Sequence, residues 1–335
     1  MKEHVKTGMT EVWVDNQITL DYGSGGKLTL DLIENVFKVE NGLDSAILEG
    51  IAFTTDSHSI KPLFFKGGDI GKLAISGTVN DLLCVGAKPL YISSAFIIES
   101  GFDMEKLKQI ALSMRKEAKF SNVKIVCGDT KVVENGKCDG VYINTSGIGK
   151  IIRPIDGKNI KNGDVVIVTG TVGDHGFSIM NEREGLNLES NLSSDVSNLV
   201  DLIMPLIESN IDIKFMRDPT RGGLAMCLNE LCYKKDYGFE IFEDKIPVRE
   251  DVYIISEILG IEPYFSANEG KMVIVVAEND ADRVIDSLKS NEKGRDASVI
   301  GFVNDNLNGK VVLNTKFGSK RILRMPISDK MPRIC

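Results

Sequence analysis

Short β-branched and apolar runs alternate with helical patterns along the sequence, and this alternation constrains the fold more than any single motif. IAFTT (51–55), YISSAFII (91–98), VKIVC (123–127) and VYINTSGIG (141–149) read as strands. Between them, Leu73, Val79, Leu82 and Leu83 space a helix that runs from Asp69 to Val85. A second helix, from Met104 to Phe120, has Asp103 in capping position and carries Leu107, Ile110, Ala111 and Met114. Strands and helices in this order predict an α/β (α+β) protein.

RPIDGKNIKNGD (153–164) interrupts the pattern: it lacks apolar periodicity and collects Pro, Gly, Asn and charge, as an exposed connection between domains would. The second half restarts with DVVIVTG (164–170) and predicts helices near 175–183, 196–209, 220–235, 249–259 and 280–290. Strands are predicted near 239–242, 271–277, 298–303 and 310–314. The expected division is a segment with a glycine-rich loop (1–43), an N-terminal domain (44–153), a C-terminal domain (154–327) and a flexible tail (328–335). Two domains suit a chain of 335 residues.

Forty Lys and Arg against 48 Asp and Glu leave a formal charge of −8, which argues against nucleic acid as a partner. No apolar stretch approaches the ~20 residues of a membrane crossing. The N-terminus, with Glu3 and Glu11, lacks the apolar core of a secretory signal, so a cytoplasmic protein is expected. Six cysteines without a CxxC pair, and only three histidines, point to neither a zinc site nor a disulfide framework.

Several segments hold residues suited to chemistry. In GSGGK, Gly23, Gly25, Gly26 and Lys27 precede the helical spacing Leu28, Leu32 and Val36. A glycine-rich loop entering a helix offers backbone N–H groups to an anion, with Lys27 as added charge, and serves equally well as a flexible turn. It is not a Walker A loop. Aspartates fall at the ends of apolar elements: Asp56 after IAFTT, Asp69 after KGG, Asp129 after KIVCG and Asp218 before PTRGG. Each alone suits a helix cap or turn. Converging with a glycine loop, they suit Mg²⁺ held through carboxylates and substrate phosphates. Asp81 differs, because NDLL sets a carboxylate among apolar neighbours, where it needs a partner. In RDPTRGGL, Gly222 and Gly223 bring backbone close to a ligand ahead of a helix that Asp218 or Thr220 can cap. GDHG sets His175 in what reads as a surface loop, and Glu269 in ANEGK stands at a strand entrance, as a catalytic carboxylate or a solvated turn residue would. Cys335 ends the chain after SDKMPRI, a tail with no evident core to bury it.

Taken in order, GSGGK, TTDS, NDLL, CGDTKVV, GDHG, MRDPTRGGL, ANEGK and a terminal PRIC resemble the HypE family of hydrogenase maturation proteins over nearly the whole chain. That family belongs to the PurM-like ATP-binding superfamily, with aminoimidazole ribonucleotide synthetase and selenophosphate synthetase. The resemblance implies a two-domain PurM-like fold and a homodimer. It also implies an enzyme, a carbamoyl dehydratase using ATP and Mg²⁺. The terminal cysteine takes a carbamoyl group from the carbamoyltransferase HypF as an S-carboxamide and dehydrates it to a thiocyanate. The cyanide passes to iron in the HypC–HypD complex. By motif, Cys335 would be the carrier, its sulfur nucleophilic as thiolate. Glu269, and Lys131 in GDTKVV, would handle protons or orient the thiocarbamate, with acid and base roles interchangeable. Asp56, Asp81 and Asp218 would hold Mg-ATP, with Asp69, Asp129, Lys27 and the glycines of both loops in the nucleotide site. A tail extended from Ser328 would reach ~25 Å. The sequence departs from the family pattern at Tyr22, where a histidine often stands, and at Met226 and Cys227, where small polar residues are common.

Two other readings use some of the same residues. A kinase or synthetase of the superfamily would phosphorylate a small molecule, but selenophosphate synthetases carry their reactive residue near the N-terminus, where this chain has no cysteine. A non-enzymatic carrier or scaffold would use Cys335 as a tether and would tolerate the loss of Asp81.

Overall fold

The computed structural model describes residues 17–39, 43–183, 191–327 and 334–335. Its first part runs through helix α1 (Lys27–Leu32), strands β1 (Ala46–Leu48) and β2 (Ile51–His58), and a two-strand clip, β3 (Phe64–Phe65) and β4 (Gly68–Asp69). There follow α2 (Ile70–Cys84), β5 (Ala87–Glu99), α3 (Met104–Phe120), β6 (Lys124–Val133) and β7 (Val141–Ile151). Beyond Ile151 come β8 (Val165–Val168), α4 (Asp174–Arg183), α5 (Val200–Glu208), β9 (Ile213–Arg217), α6 (Gly223–Cys232) and β10 (Gly238–Phe242). The chain closes with α7 (Glu250–Leu259), β11 (Val273–Val276), α8 (Ala281–Lys289), β12 (Ser298–Asn304), β13 (Val311–Asn314) and β14 (Lys320–Ile322).

Asp69 starts α2: in extended backbone, its carboxylate accepts from the Gly71 and Lys72 amides at 2.8 and 2.9 Å. The helix is apolar nearly all round and buried along its length, which suits a central position. One side rests on a five-stranded sheet of order β1-β2-β7-β5-β6, and α3 and α5 pack elsewhere on it. α3 is amphipathic, capped by Asp103 at 2.9 Å from the Lys106 amide, and buries Ile110, Met114 and Ala118.

The inner face of this sheet includes Ala52, Thr54, Asp56 and His58, beside Ile143 and Thr145. Its outer face carries the rows Phe53–Ile148–Tyr91, Thr55–Ser146–Ser93–Cys127, Ser57–Asn144–Ala95–Asp129 and Tyr142–Ile97–Lys131. Phe53, Tyr91, Ile97 and Ile148 on that face are exposed.

The second sheet has seven strands in the order β14-β13-β10-β12-β8-β11-β9. Alternate residues of its central strands enter different cores. Ile167, Ile274 and Val276 pack with Leu202, Ile203 and Leu206 of α5 and Val284 and Leu288 of α8. Val166, Val168, Val273 and Val275 pack with Leu224, Ala225 and Leu228 of α6. Both faces are buried, so VVIV and VIVV are apolar throughout and not alternating. The α5 core continues into Ile70, Leu73 and Ile110, joining the two halves.

Of residues 153–164, which join the two halves, Pro154, Lys158, Asn159, Lys161 and Asn162 are exposed, and Ile155 and Asp164 are buried. The Arg153 guanidinium donates to the carbonyls of Leu206, Ser209 and Ile211 at the end of α5, where a helix leaves acceptors unsatisfied. Asp164 is buried and accepts from the Lys161 amide at 2.8 Å. The segment is a strap tied to the second core. Among the described residues no helix is long and apolar enough to cross a membrane.

Candidate active site

Where the two halves meet, β2, α2, the loop before β1 and the end of β9 bring four aspartates to one cleft of about 320 Å³: Asp56, Asp81, Asp44 and Asp218. Asp81 has the partner its apolar setting required, since the Thr54 hydroxyl donates to its Oδ2 at 2.8 Å. Asp218 follows directly on β9 and leads into Pro219, Thr220 and Arg221 on the cleft wall. Gly222 and Gly223 then start α6 with φ of 74° and 62°. A Cβ on Gly223 would lie 2.5 Å from the Ser266 carbonyl, so only glycine permits this approach.

Burial raises Asp81 and Asp218 well above the usual carboxylate range, and neighbouring carboxylates add to it: Asp218 and Asp56 for Asp81, Asp44 for Asp218. Burial raises Asp44 too, against the pull of Arg217, whose Nε lies 2.9 Å from its Oδ1. Arg217 is also engaged by Glu230 at 2.7 Å. Crowded oxygens in mutual repulsion fit a hard divalent cation such as Mg²⁺. Asp44 and Asp218 offer oxygens within 4.8 Å of each other. Cys84 lies in the same cluster but keeps its proton, because burial and then Asp44 and Asp218 raise its thiol well above the ordinary value.

Glu269 closes the opposite wall. It is 3% exposed, and its Oε1 has no hydrogen-bond partner. Burial first, then Asp218, Asp56 and Asp195, raise it well above the usual carboxylate range. Its backbone is locked: the Glu269 and Gly270 amides donate to Asp195 at 3.0 and 3.3 Å, and Lys271 pairs with Asp195 at 3.2 Å. Asn268 beside it accepts from the Gly173 amide at 2.7 Å and donates to the Pro219 and Ser266 carbonyls.

Cys335 lines the same cleft. The charge it carries is the first cause of the raised value of Arg221. Two main-chain contacts hold the chain end there: the Ser59 amide donates to the Cys335 oxygen at 3.1 Å, and the His175 ring bonds the Ile334 carbonyl. Ile334 is 1% exposed within the main core. The core that the tail lacked in the sequence is therefore provided by the folded body. The rest of the tail, 328–333, lies outside the described residues.

The structure thus brings Cys335, Glu269, Asp56, Asp81, Asp218, Gly25 and Gly223 together. Gly23 accepts from Arg221 at 3.2 Å, and a Cβ on Gly25 would lie 2.6 Å from the Arg221 Cβ. Gly26 and Lys27 lie against the start of the tail: a Cβ on Gly26 would meet the Ile327 carbonyl at 2.6 Å, and the Lys27 amide donates to the Pro326 carbonyl at 3.0 Å. Tyr22 is buried, and its carbonyl accepts from Thr29 at 2.9 Å. Met226 and Cys227 are buried in the cleft wall, and burial keeps Cys227 a thiol.

Three expected site residues lie elsewhere. Asp69 is committed to capping α2 and also accepts from Ser113. Asp129 and Lys131 sit on β6, exposed and paired with each other at 3.4 Å. β6 lies three strand spacings from β2, about 14 Å, and the two residues occupy the face opposite to Asp56. His175, expected in a surface loop, is fully buried in the first turn of α4. Sequence reasoning missed Asp44, Arg217, Arg221, Asn268 and Asp195. The signals for Asn268 and Asp44 were present, in ANEGK and in an aspartate just ahead of a strand. Nothing local marked Asp195.

Residues 42–151 match the N-terminal domain, and residues 161–314 the C-terminal domain, of AIR synthase related proteins. The two halves therefore form the PurM-like fold. The carbamoyl dehydratase HypE of Bradyrhizobium diazoefficiens is 41% identical over 95% of this chain and 96% of its own. The crystal structure of a HypE–HypF complex includes a chain 47% identical, with a TM-score of 0.85 over 90% of this chain and 100% of that one. A HypE crystal structure in complex with ATP is 38% identical, with a TM-score of 0.83 over 95% and 100%. This chain belongs to the HypE family of hydrogenase maturation proteins.

Proposed function

We propose that the protein is a carbamoyl dehydratase that carries its substrate on Cys335 and uses ATP to convert the S-carboxamide to a thiocyanate during hydrogenase maturation in the cytoplasm. The observation that carries this reading is the arrival of the chain's terminal cysteine in the same cleft as Glu269 and the aspartates. Relatives named carbamoyl dehydratase and one bound to ATP support it.

The chemistry follows from these groups. The carbamoyl oxygen is a poor leaving group, so the γ-phosphoryl group of ATP is transferred to it as one N–H proton is lost. Loss of phosphate with the second N–H proton then forms the C≡N bond. The products are the thiocyanate, ADP and inorganic phosphate. Asp56, Asp81 and Asp218, joined by Asp44, would hold Mg²⁺, which when bound neutralises phosphate charge. Arg221 and Gly25 line the cleft where the phosphates would lie, Gly23 is bonded to Arg221, and Gly222 and Gly223 let α6 start beside them. Glu269, whose Oε1 has no hydrogen-bond partner and whose basicity burial raises, is the proton acceptor for the N–H groups.

Lys131 and Asp129 reach a nucleotide cleft only from a second copy. The exposed outer face, with Phe53, Tyr91, Ile97 and Ile148, is the face we assign to a homodimer, and a twofold pairing can lay β6 of one protomer towards the β2 edge of the other. Lys131 then orients the thiocarbamate in the partner's cleft. HypF is the carbamoyl donor, as the HypE–HypF crystal structure supports, and the HypC–HypD complex is the cyanide acceptor.

Intact-protein mass spectrometry tests the reading. Incubation with a HypF-type donor, carbamoyl phosphate and ATP should add one carbamoyl group, and Mg-ATP should then remove one water, neither occurring in Cys335→Ala. ATP hydrolysis with no adduct on Cys335 would move the assignment to a small-molecule kinase of this fold.

A further inference from the structure

Glu269 is placed in the cleft by its main chain. Its Oε1 has no hydrogen-bond partner, so no side-chain bond fixes that oxygen. Both main-chain groups, by contrast, are engaged by one short segment: the amide donates to Asp195 Oδ1 at 3.0 Å, and the carbonyl accepts from the Ser197 amide at 3.2 Å. Asp195 Oδ2 accepts from the Gly270 amide at 3.3 Å and pairs with Lys271 at 3.2 Å. A Cβ on Gly270 would lie 1.9 Å from the Asp195 carbonyl, so only glycine lets the two stretches run this close.

The same segment is held from its far side by α2. Residues 191–199 lack regular structure, so their buried main-chain groups need partners from elsewhere in the fold. Asn80, 1% exposed, supplies two: its Nδ2 donates to the Ser197 carbonyl at 3.1 Å, and its Oδ1 accepts from the Leu199 amide at 3.0 Å. A carbonyl can only accept and an amide N–H can only donate, which fixes the orientation of the Asn80 side chain. The next residue of α2 is Asp81, which lines the cleft.

We propose that Asn80 is a positioning residue for dehydration: through the Asp195–Leu199 segment it sets Glu269, on the C-terminal half, at its working distance from Asp81, on the N-terminal half. This rests on the carbamoyl dehydratase reading with Glu269 as proton acceptor. Asn80 touches neither nucleotide nor thiocarbamate. Its effect falls on the rate of the chemical step and not on ATP binding, because Asp81 stays on a helix buried along its length whether or not the clasp is made. Loss of the Asn80 amide leaves the Ser197 carbonyl and the Leu199 amide buried without partners, and the segment that carries Asp195 loosens. The Glu269 and Gly270 amides then lose protection together.

The test compares Asn80→Ala with wild type in the full-length protein, by hydrogen exchange read with mass spectrometry and by single-turnover dehydration of the carbamoylated protein. Exchange in the peptide that holds Glu269 and Gly270 should be about tenfold faster in the variant, the worth of one buried bond, with the β12 peptide as an unchanged internal control. The dehydration rate at saturating Mg-ATP should fall about tenfold or more, at full amplitude and with an unchanged ATP concentration for half-saturation. Asp195→Asn keeps the shape of the clasp but removes one of its two acceptors. It should show the same pattern from the other end, and it decides the matter if Asn80→Ala does not fold. Unchanged exchange at Glu269 and Gly270, equal acceleration in β12, or a loss confined to amplitude or to ATP affinity would overturn the proposal. Absence of any adduct on wild-type Cys335 would instead overturn the dehydratase reading, with the exchange rates still deciding whether Asn80 holds Glu269 in place.

Discussion

The two sheets of this protein are built from the same alternation of strand and helix, yet one is covered on both faces and the other on one. In the seven-stranded sheet, β8 and β11 send alternate residues into two cores. In the five-stranded sheet, α2 fills the inner face and the outer face remains exposed. The difference separates two kinds of functional residue. Glu269, at the entrance of a strand buried on both faces, is desolvated within a single protomer and raised by that burial well above the usual carboxylate range. Lys131, on the uncovered face, is exposed and paired with Asp129 at 3.4 Å.

The largest expected effect tests the buried side of this comparison. Glu269→Gln should lower single-turnover dehydration by about 10²- to 10⁴-fold, the usual worth of a positioned proton acceptor, with carbamoyl loading unchanged by mass spectrometry. A dehydration rate within a fewfold of wild type would remove Glu269 from the chemistry.

The exposed side is tested by mixing. Lys131→Ala should be as impaired as Glu269→Gln when assayed alone, and a refolded equimolar mixture should recover about one quarter of wild-type activity, because half the dimers are mixed and each has one intact cleft. No recovery would place both residues in the same cleft or Lys131 in none. The dimer face itself is probed by the double variant Phe53→Asp and Ile97→Asp. Sedimentation velocity should show the dimer dissociating at least about 100-fold more readily, with the melting temperature of the monomer little changed.

The smallest effect is on stability. Asp81, Asp218 and Glu269 are raised in the folded chain above their unfolded values, so the folded state binds more protons than the unfolded one. The stability they contribute is complete below the unfolded carboxylate range and is lost as pH rises through the folded values. Without divalent cations the melting temperature should therefore fall by a few degrees between pH 5 and 8 through these groups, an effect opposed by His58 and His175, which burial keeps neutral. Asp81→Asn should show a shallower fall than wild type, and Mg²⁺ should flatten the wild-type curve. Equal slopes in the two proteins would mean that Asp81 does not share the repulsion.

Most of the element order could be read from the chain because it depends on neighbours a few residues apart. The capped helix at Met104–Phe120 was placed to the residue, and α2 within a residue at each end, since a capping aspartate and a helical spacing are local signals. β9 was missed: IKFMR is short, and its Lys214 is buried beside Asp212. Asp69 shows how one residue type supports two readings, and the structure commits it to capping. Within 153–164, the tie between the Arg153 guanidinium and the end of α5, some 50 residues further on, has no local signal in the sequence.

By itself the sequence determined the periodicities, the glycines where backbone must turn or approach, the carboxylates at element ends and a cysteine at the last position. These follow from sterics and from the burial of one face of each element, both short-range in the chain. Tertiary structure alone decided which of those carboxylates share a cleft, which face of β6 Lys131 occupies relative to Asp56, and that the end of a polar tail is seated in the main core. Convergence of distant residues, and the loss of water that raises Glu269 and lowers His175, arise only when the two sheets close on one another.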